Sequence, residues 1–467
     1  MAQHQLLIIG GGPAGLAAAT AAANAGVQCL LIDEQATPGG QVYRGVADIP
    51  TQRAKLLGPD YQYGHTLVED FKASTAIHMP STSVWSLNAQ REIGILHGTD
   101  NKQATLLSAE RVLIATGAME RPVPFPGWTL PGVMTAGAGQ ILFKSAGIVP
   151  NNGVVVAGSG PLLLLLAWQY MQAGVIINAI LDLTPKDNYW RALPHLPRAL
   201  LSHHYLLKGL KYQRQLKHAG VPFYTGVSDL CAVGKEAVTT VEFSHSGGRK
   251  NIKTPLLMSH FGVIPDSHLS RSAGCHHYWD PNQLCWRPTT DKWCNSSIRG
   301  IAIIGDSAGI GGAVAAHHAG RLAGLDSAYR LGNISSQQRD ENARQDRRWL
   351  AEDLHVRPFF EALFRPCPTL LAKLKDETLV CRCEEITTGT LRQAMQAGHS
   401  DPNQLKFFTR CGMGPCQGRQ CDNTISQLVA HELGNNVGQN EPYRIRPPVS
   451  PLTIEQLANL QDGRDKQ

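Results

Sequence analysis

Two continuous apolar runs near the N-terminus flank a glycine-rich turn and an alanine-rich stretch. Leu6–Ile9 and Cys29–Ile32 have the pattern of strands that are buried on both faces of a parallel sheet. The alanine-rich stretch between them predicts a helix that ends near Ala25. The later apolar runs Val112–Gly117 and Ile301–Asp306 each end in a small-residue turn. This alternation of strands and helices predicts an α/β fold.

The first turn, GGGPAG at residues 10–15, has the spacing of a dinucleotide-binding loop. Glycines at its first, third and sixth positions allow the tight turn, the approach of a pyrophosphate and the close packing of helix on strand. The helix N-terminus also attracts phosphate. An acidic side chain after the second strand accepts hydrogen bonds from the ribose, and here Glu34 is preferred over Asp33. The predicted site contains Gly10, Gly12, Pro13, Ala14, Gly15, Asp33 and Glu34.

Two further motifs indicate which nucleotide is bound: VLIATG, and IAIIGD with the glycine-rich AGIGGAVAAHHAG after it. Through a family resemblance, they point to FAD. Over roughly residues 5–330 the chain resembles the flavoproteins with two dinucleotide-binding domains, the superfamily of glutathione reductase and thioredoxin reductase. The resemblance implies that Thr116 and Gly117 lie near FAD. It also implies that Asp306, after Gly305, hydrogen-bonds the ribitol or the pyrophosphate.

The segment PGGQVYR at residues 38–44 follows the acidic pair and is assigned to the same FAD site through Gly40, Gln41 and Arg44. Disulfide reductases of this superfamily carry a redox cysteine soon after the equivalent glycines. This chain has Gln41 and no cysteine there. We therefore expect electrons to leave the flavin by a route other than a protein disulfide.

The middle of the chain repeats the first unit. An apolar run, Val154–Ala157, leads into Gly158 and Gly160, and Asp182 follows Gly158 at the same interval as Glu34 follows Gly10. The third glycine is replaced by Leu163, which would push the helix off the strand. Three interpretations remain open at Gly158, Gly160 and Asp182: an NAD(P) site, a site for another adenine nucleotide such as ATP, or a structural relic.

Five of the eleven cysteines fall within 41 residues near the C-terminus. The first residues, MAQHQ, lead directly into a strand, so we expect no secretory signal, and this cysteine density then suggests a metal site. Thiolates select zinc or iron–sulfur, and spacing alone does not separate the two. A helix after the first pair is predicted from Ile386, Leu391 and Met395, with Thr387 or Thr388 as its N-cap.

The cysteine module resembles the bacterioferritin-associated-ferredoxin-like [2Fe-2S] domain, in which a CxC pair and a later pair hold the cluster. The later pair departs from that pattern, because four residues separate Cys416 and Cys421 rather than two. A similar CQGxxC form ends the anaerobic glycerol-3-phosphate dehydrogenases, where the position of Cys411 need not be cysteine. The resemblance implies Cys381, Cys383, Cys416 and Cys421 as ligands, with Cys411 as a spare or substitute.

Over nearly the whole length, ATGAMERPVPFPGW, CRCEE, TRCGMGPCQGR and YRIRPPVSPLT resemble the alpha subunits of heteromeric dye-linked amine dehydrogenases. This family includes opine oxidases, D-hydroxyproline dehydrogenase and hydrogen cyanide synthase. The resemblance implies an amino-acid-oxidase-like beta subunit that oxidises the C–N bond of an opine or of D-hydroxyproline. It also implies, in some members, a small ferredoxin-like gamma subunit, and electron delivery toward the respiratory chain.

The domain organisation expected from these motifs is two Rossmann-like domains and a small α-helical [2Fe-2S] domain. Residues 1–120 and 246–330 form the FAD-binding domain, 121–245 the second nucleotide-binding-like domain, 331–375 a linker, 376–435 the [2Fe-2S] domain and 436–467 a tail. The net charge of +6 includes no basic stripe with aromatics, which argues against nucleic acid. The longest apolar stretch, PLLLLLAW, is too short to span a bilayer. We expect a cytoplasmic protein that reaches membranes through partners.

Three functions are compatible with these features. The first is an electron-transfer subunit of an amine-oxidising complex, for which no catalytic residue is expected on this chain. The second is a stand-alone NAD(P)H-dependent reductase that uses the middle domain. The third is a redox-sensing or iron-delivery protein that uses the cysteine module.

Overall fold

The computed structural model describes residues 4–99, 102–367 and 369–462, so the first three residues of the predicted FAD-binding domain and the last five of the tail lie outside it. An eight-stranded sheet organises the first unit. The long strand Gln103–Ile114 pairs through its second half with His4–Ile9 and Ile301–Ile303, both in parallel. Its first half pairs with Glu92–His97 and with Gln461–Asp462 near the C-terminus.

The predicted first βαβ element is confirmed, with His4–Ile9 parallel to Cys29–Ile32 and the helix Pro13–Asn24 between them. This helix packs closely on Ala313–Arg330. The contact requires glycine at Gly320 and Gly324, because a Cβ atom at either position would overlap a main-chain oxygen of the first helix. The remaining elements of this unit are the strands Ile77–Met79 and Thr82–Leu87 and the helices Thr51–Leu57 and Pro59–Lys72.

A five-stranded parallel sheet forms the middle unit, in the order Phe223–Thr225, Ile177–Asp182, Val154–Gly158, Leu257–His260 and Val133–Thr135. A three-stranded antiparallel sheet follows Phe223–Thr225. Because Leu257–His260 belongs to the parallel sheet, the unit extends past the expected boundary at residue 245. Its other elements are the helices Ala136–Ala146, Pro161–Gln172, Lys186–Ala192, Leu196–Ala199 and His203–His218 and the strands Ser228–Val233, Thr240–His245 and Gly248–Lys253.

The linker expected at residues 331–375 is instead largely helical. Ser336–Asp353 begins with a capping box at Ser335 and Gln338 and packs on Ala313–Arg330. Asp346 anchors this contact by accepting from Arg321 and lying 2.8 Å from His318 Nδ1. Two shorter helices, Arg357–Leu363 and Thr369–Ala372, follow. Three small elements join the units: the strand pair Ala118–Glu120 and Val263–Pro265, the helix His268–Ser272, and the hairpin His277–Asp280 and Cys285–Pro288.

The cysteine module consists of a short hairpin, Leu379–Cys381 with Ile386–Thr387, and the helices Thr388–Gln396, Pro402–Thr409 and Asp422–Leu433. The last helix, Ile454–Ala458, instead contacts the strand Gln103–Ile114 of the first unit. Thr387 caps the first helix by accepting from the amide of Thr390, as predicted. Leu391 and Met395 are buried on that helix, whereas Ile386 lies in the strand before it rather than on the helix. No helix within the described residues combines the length and apolarity needed to cross a bilayer.

Candidate functional site

A cavity of about 560 Å³ opens at the carboxyl ends of the first sheet's strands, facing the middle unit. Ligands of open α/β sheets bind at this edge. Twelve of the fourteen residues predicted for the FAD site line the cavity: Gly10, Gly12, Pro13, Ala14, Asp33, Glu34, Gly40, Gln41, Arg44, Thr116, Gly117 and Asp306. The described residues of its wall include no cysteine.

The other two predicted residues, Gly15 and Gly305, shape the backbone behind this wall. A Cβ atom at Gly15 would overlap the carbonyl oxygen of Gly10, so the helix can approach the strand only with glycine there. Gly305 has a φ of +66°, and its Cβ would lie 2.7 Å from the Cβ of Ala14. In contrast, a Cβ at Gly12 would meet only Gly40 at 3.9 Å within the protein. The open space at Gly12 therefore fits a pyrophosphate.

The two acidic residues after the second strand have different environments. Asp33 is buried, and its carboxylate accepts hydrogen bonds from the amides of Gly11 and Gln35, both at 3.0 Å. Burial raises the pKa of Asp33. Glu34 is exposed at the cavity wall and hydrogen-bonds the side chain of Gln35. Asp33 thus braces the glycine turn, whereas Glu34 lies exposed at the cavity wall.

Asp306 faces the cavity from the start of the second glycine-rich motif. Its Oδ1 atom accepts hydrogen bonds from the amides of Gly311 and Gly312, at 2.8 and 2.9 Å. The carboxylate thereby orders the loop that precedes the helix Ala313–Arg330, and its second oxygen remains for a ligand. This placement fits the role that the flavoprotein resemblance implies.

Lys144 is a cavity residue that the sequence analysis missed. Its ammonium donates to the main-chain oxygen of Gln41 at 3.3 Å and to the side chain of Gln140 at 2.8 Å. Burial lowers the pKa of Lys144 to about 7. Arg44 also lines the cavity, and its buried Nε atom makes no hydrogen bond within the described residues. The cavity therefore places two cationic side chains beside a site proposed for an anionic cofactor.

The middle unit's glycine turn differs from the first. Gly158, Gly160 and Asp182 do not line the cavity, and the Asp182 carboxylate accepts from the amide of Thr184. Leu163 is buried within the same apolar core as Val154 and Val156. Its side chain thus lies in the interface between helix and strand, where Gly15 of the first unit has no side chain.

The imidazole of His260 adjoins this second turn. A Cβ on Gly160 would lie 3.1 Å from its Nε2 atom, and its Nδ1 atom lies 2.8 Å from Glu120. His260 occupies the position that Ala115 takes in the first unit, since Gly158 approaches the main-chain oxygen of His260 as Gly10 approaches that of Ala115. The ring therefore borders the space that a second pyrophosphate would need.

The five clustered cysteines meet in the C-terminal module. The sulfur atoms of Cys381, Cys411 and Cys421 are buried and lie within 4.8 Å of one another. Hydrogen bonds from Cys411 and Cys421 lower the pKa of Cys381. Cys383 is exposed and interacts with the thiol of Cys416. The structure thus divides the four predicted ligands, with Cys381 and Cys421 grouped with Cys411 and with Cys383 beside Cys416.

The cysteine loop also reaches the wall of the cavity. Arg419, which lies between Cys416 and Cys421, lines the cavity, and its Nε atom is 3.9 Å from the carboxylate of Asp266. Asp266 in turn donates its amide to the main-chain oxygen of Gly117 at 2.9 Å. The predicted flavin site and the predicted metal site therefore share a boundary.

Comparisons with known proteins agree with this architecture. Residues 4–321 match the family described as pyridine nucleotide-disulphide oxidoreductase, and residues 375–460 match the sarcosine oxidase A3 domain. The A subunit of opine oxidase from Rhizobium meliloti is 40% identical, over 98% of this chain and 88% of its own. The hydrogen cyanide synthase subunit HcnB of Pseudomonas aeruginosa is 32% identical, over 97% of this chain and 98% of its own.

Solved structures share the fold. L-proline dehydrogenase from P. horikoshii superposes with a TM-score of 0.69 at 18% identity, covering 97% of this chain and 79% of that chain. Thioredoxin reductase from T. acidophilum gives a TM-score of 0.50 at 20% identity, covering 70% of this chain and 97% of that chain. The first likeness extends through the cysteine module, and the second is confined to about two thirds of the chain.

Proposed function

Since this chain belongs to the pyridine nucleotide-disulphide oxidoreductase family and to the family of HcnB and the opine oxidase A subunits, we propose that it is the electron-transfer subunit of an amine-oxidising complex. At the level of the family, it is an FAD-dependent oxidoreductase and one subunit of a multi-subunit enzyme. The finer proposal is that it carries FAD and a [2Fe-2S] cluster. The substrate of the complex would be an opine or D-hydroxyproline.

The observation that carries the proposal is the contact between the FAD cavity and the cysteine loop. Arg419 forms part of the cavity wall, and His268, also in the wall, lies 3.1 Å through Nε2 from the main-chain oxygen of Gln417. Gln417 directly follows Cys416. The wall of the proposed FAD site is thus in contact with the loop that carries two of the proposed cluster ligands, and such proximity favours electron transfer between the two groups.

The chain's own residues account for FAD binding. FAD, when bound, supplies both hydride and single-electron chemistry. Gly12 leaves room for its pyrophosphate, Glu34 accepts from its ribose, and Asp306 faces it across the cavity. Lys144 and Arg44 add positive charge to the wall. No side chain of this chain is proposed as a catalytic acid or base, because the partner subunit is proposed to oxidise the C–N bond.

The cysteines supply the ligands of the second group. A [2Fe-2S] cluster, when bound, carries one electron at a time and needs four thiolates. We propose Cys381, Cys383, Cys416 and Cys421, with Cys411 as a fifth thiol beside two of them. Zinc is the alternative metal that such a set could hold, and it would carry no electron.

The partners follow from the family. The relatives are named as subunits of multi-subunit oxidases, and we propose that this chain binds an amino-acid-oxidase-like beta subunit that oxidises the substrate. A small ferredoxin-like gamma subunit would complete the complex in some members. The respiratory chain would accept the electrons.

The middle unit argues against a stand-alone NAD(P)H-dependent reductase. Leu163 fills the helix–strand interface, and the ring of His260 borders the turn at Gly160. We therefore favour a structural role for Gly158, Gly160 and Asp182 over a nicotinamide or ATP site. Rapid bleaching of the flavin by NADH in the isolated chain would instead support the reductase.

An anaerobic visible and EPR spectrum of the purified chain, before and after dithionite, tests the proposal. We expect flavin bands in the oxidised protein and a rhombic S = ½ signal after reduction. A flavin spectrum with zinc by metal analysis would remove the electron-transfer role. Full oxidation of an amine by the isolated chain would contradict the proposed division of labour between the chains of the complex.

A further inference from the structure

The helical segment at residues 186–218, between two strands of the middle sheet, is unusually basic. It contains seven lysine and arginine residues and one acidic residue, Asp187. This excess of six positive charges equals the net charge of the whole 467-residue chain. We call residues 186–218 the basic helical segment. Elsewhere in the protein the two signs of charge cancel. This segment is therefore a basic stretch with aromatic residues, Tyr189 and Trp190 among them, of the kind that the sequence analysis did not expect.

The same segment exposes large apolar side chains. Seven of the 22 exposed large hydrophobic residues in the described chain lie in these 33 residues: Tyr189, Trp190, Leu193, Leu200, Leu201, Leu207 and Leu210. Trp190 is 76% exposed and Leu201 is 68% exposed. Large apolar side chains that are exposed together in one segment are typical of a binding surface.

The segment has one side fixed to the protein and one side free. Asn188, Ala192, Ala199 and Ser202 are buried beneath its first half. In the helix His203–His218, Tyr212 stacks on Trp168 of the middle unit. The outward positions of that helix, Leu207, Leu210, Lys211 and Arg214, recur at helical spacing. The apolar and basic side chains are thus presented together on a folded scaffold.

The basic side chains are almost all without acidic partners. Lys208 pairs with Asp60. Within the described residues no ion pair involves Lys186, Arg191, Arg198, Lys211, Arg214 or Lys217. These cations are therefore available to an external anionic surface.

We propose that the basic helical segment docks this protein on the surface of an anionic lipid bilayer. Trp190, Leu193, Leu200 and Leu201 would enter the interfacial region, and the lysine and arginine side chains would meet the headgroups. Exposed Trp and Leu beside Lys and Arg on a helical surface is the pattern of peripheral membrane binding. The inference depends on this surface alone and does not rest on the proposed electron-transfer role.

Composition favours lipid over a protein partner. Lysine is depleted in protein–protein interfaces, yet four of the seven basic residues here are lysine. Anionic lipids attract such residues without requiring a matching arrangement of carboxylates. A protein partner remains an outcome that the experiment below separates.

The test is co-sedimentation of the full-length, flavin-loaded chain with vesicles of phosphatidylcholine alone or with 30 mol% (about one third) phosphatidylglycerol. We expect binding to the mixed vesicles, little binding to phosphatidylcholine, and weakening at high salt because exposed charges are screened. The triple variant Arg191→Gln, Arg198→Gln, Lys211→Gln should weaken binding by about 100-fold. The matched control Lys235→Gln, Lys250→Gln, Lys253→Gln removes the same charge from exposed positions elsewhere and should retain binding.

A second pair of variants tests the apolar contribution. Trp190→Ser with Leu201→Ser should weaken binding to the mixed vesicles, whereas Ile454→Ser, at a residue 88% exposed outside the segment, should not. Flavin content and thermal unfolding show that each variant is folded. Absence of vesicle binding by the wild type overturns the proposal, as does equal binding by both triple variants. Loss of self-association or of assembly with partner chains in the segment variants, without vesicle binding by the wild type, would assign the surface to a protein partner.

Discussion

His268 Nε2 lies 3.1 Å from the main-chain oxygen of Gln417, so a residue in the wall of the flavin cavity touches the loop that carries Cys416. The two residues are 149 positions apart in the chain. His268 is buried and belongs to the short helix that follows Asp266. This contact positions the cysteine loop against the cavity.

Removing the His268 imidazole should slow electron transfer while leaving both cofactors bound. In His268→Ala the loop loses its contact with the wall, so the two redox groups should lie farther apart and the rate of electron transfer should fall several-fold. The measurement is flash photoreduction of the flavin, with flavin and cluster absorbance followed separately. The control is His203→Ala, an exposed histidine in the middle unit. Loss of flavin or iron from His268→Ala would show that this residue maintains a binding site rather than the contact between them.

Two glycines of the first turn should respond differently to alanine. In Gly12→Ala the new Cβ meets no protein atom closer than 3.9 Å, so the fold should persist, but the methyl group would occupy the pyrophosphate space and FAD should be lost. In Gly15→Ala the Cβ would overlap the carbonyl oxygen of Gly10, and the fold itself should be destabilised. Flavin content and urea unfolding measure the two effects. Full flavin binding by Gly12→Ala would remove this turn from the proposed site.

The parts of the fold that depend on local pattern could be predicted from the sequence. Leu6–Ile9 and Cys29–Ile32 read as buried strands because both faces are covered, and the glycine spacing places the turn beside them. The sequence does not predict the helix Ser336–Asp353, and a linker is expected there instead. The reason is that the outward face of the helix is almost wholly charged and only Ala343 and Asp346 are buried. Its stability comes from packing on another helix, which no local pattern shows.

The same distinction between local pattern and long-range packing applies to the residues of the candidate site. The glycine turn, Glu34, Gly305 and Asp306 belong to short motifs, so the sequence predicts them as candidates, and all of them except Gly15 and Gly305 line the cavity. Lys144 belongs to no motif. Its place in the cavity depends on a contact with Gln41, 103 positions away, which no local pattern predicts. The grouping of Cys411 with Cys381 and Cys421 likewise depends on the folded module. Long-range contacts therefore account for the site residues that the sequence did not predict.

The cluster ligands can be separated by comparing two cysteine variants. With Cys381, Cys383, Cys416 and Cys421 as ligands, Cys411→Ser should keep its iron and sulfide, and Cys416→Ser should lose most of both. The physical reason is that four thiolates complete the cluster. Iron and sulfide content and the EPR signal of the reduced protein are the measurements. The opposite result would assign Cys411, which adjoins Cys381 and Cys421, as a ligand in place of Cys416.

Lys144 should make the stability of the flavin-free protein depend on pH. Burial lowers its pKa from the ordinary value of 10.5 to about 7, so the folded state opposes protonation. The cost is complete below pH 7, where the amine is charged in both states, and it is relieved as the pH rises from about 7 toward 10.5. Relative to Lys144→Met, the wild type should therefore gain up to about 1.4 kcal/mol per pH unit over this window.

Urea unfolding of the flavin-free wild type and of Lys144→Met at several pH values from about 6 to 9.5 measures this difference. The control is Lys55→Met at an exposed position, which should follow the wild type at every pH. A difference between wild type and Lys144→Met that does not change with pH would show that Lys144 is not buried in a charged form at low pH.

The ion pair between Arg271 and Asp422 should hold the cysteine module to the first unit. Their side chains are 6% and 7% exposed, and Arg271 Nη1 lies 2.6 Å from Asp422 Oδ2. In Asp422→Ala the arginine is left buried without its carboxylate, and we expect a loss of about 3–5 kcal/mol in the free energy of unfolding. The exposed pair of Arg348 and Glu352 is the matched control, and Glu352→Ala should cost less than about 1 kcal/mol.

The double variant Arg271→Leu, Asp422→Leu separates the ion pair from a general effect of changing Asp422. Replacing a buried pair by apolar side chains is often close to neutral, so the double variant should recover most of the stability lost in Asp422→Ala. Urea unfolding gives the free energies, and iron content shows whether the variant keeps the proposed cluster. A double variant as unstable as Asp422→Ala would mean that the carboxylate acts mainly through its other hydrogen bond, from the amide of Tyr443.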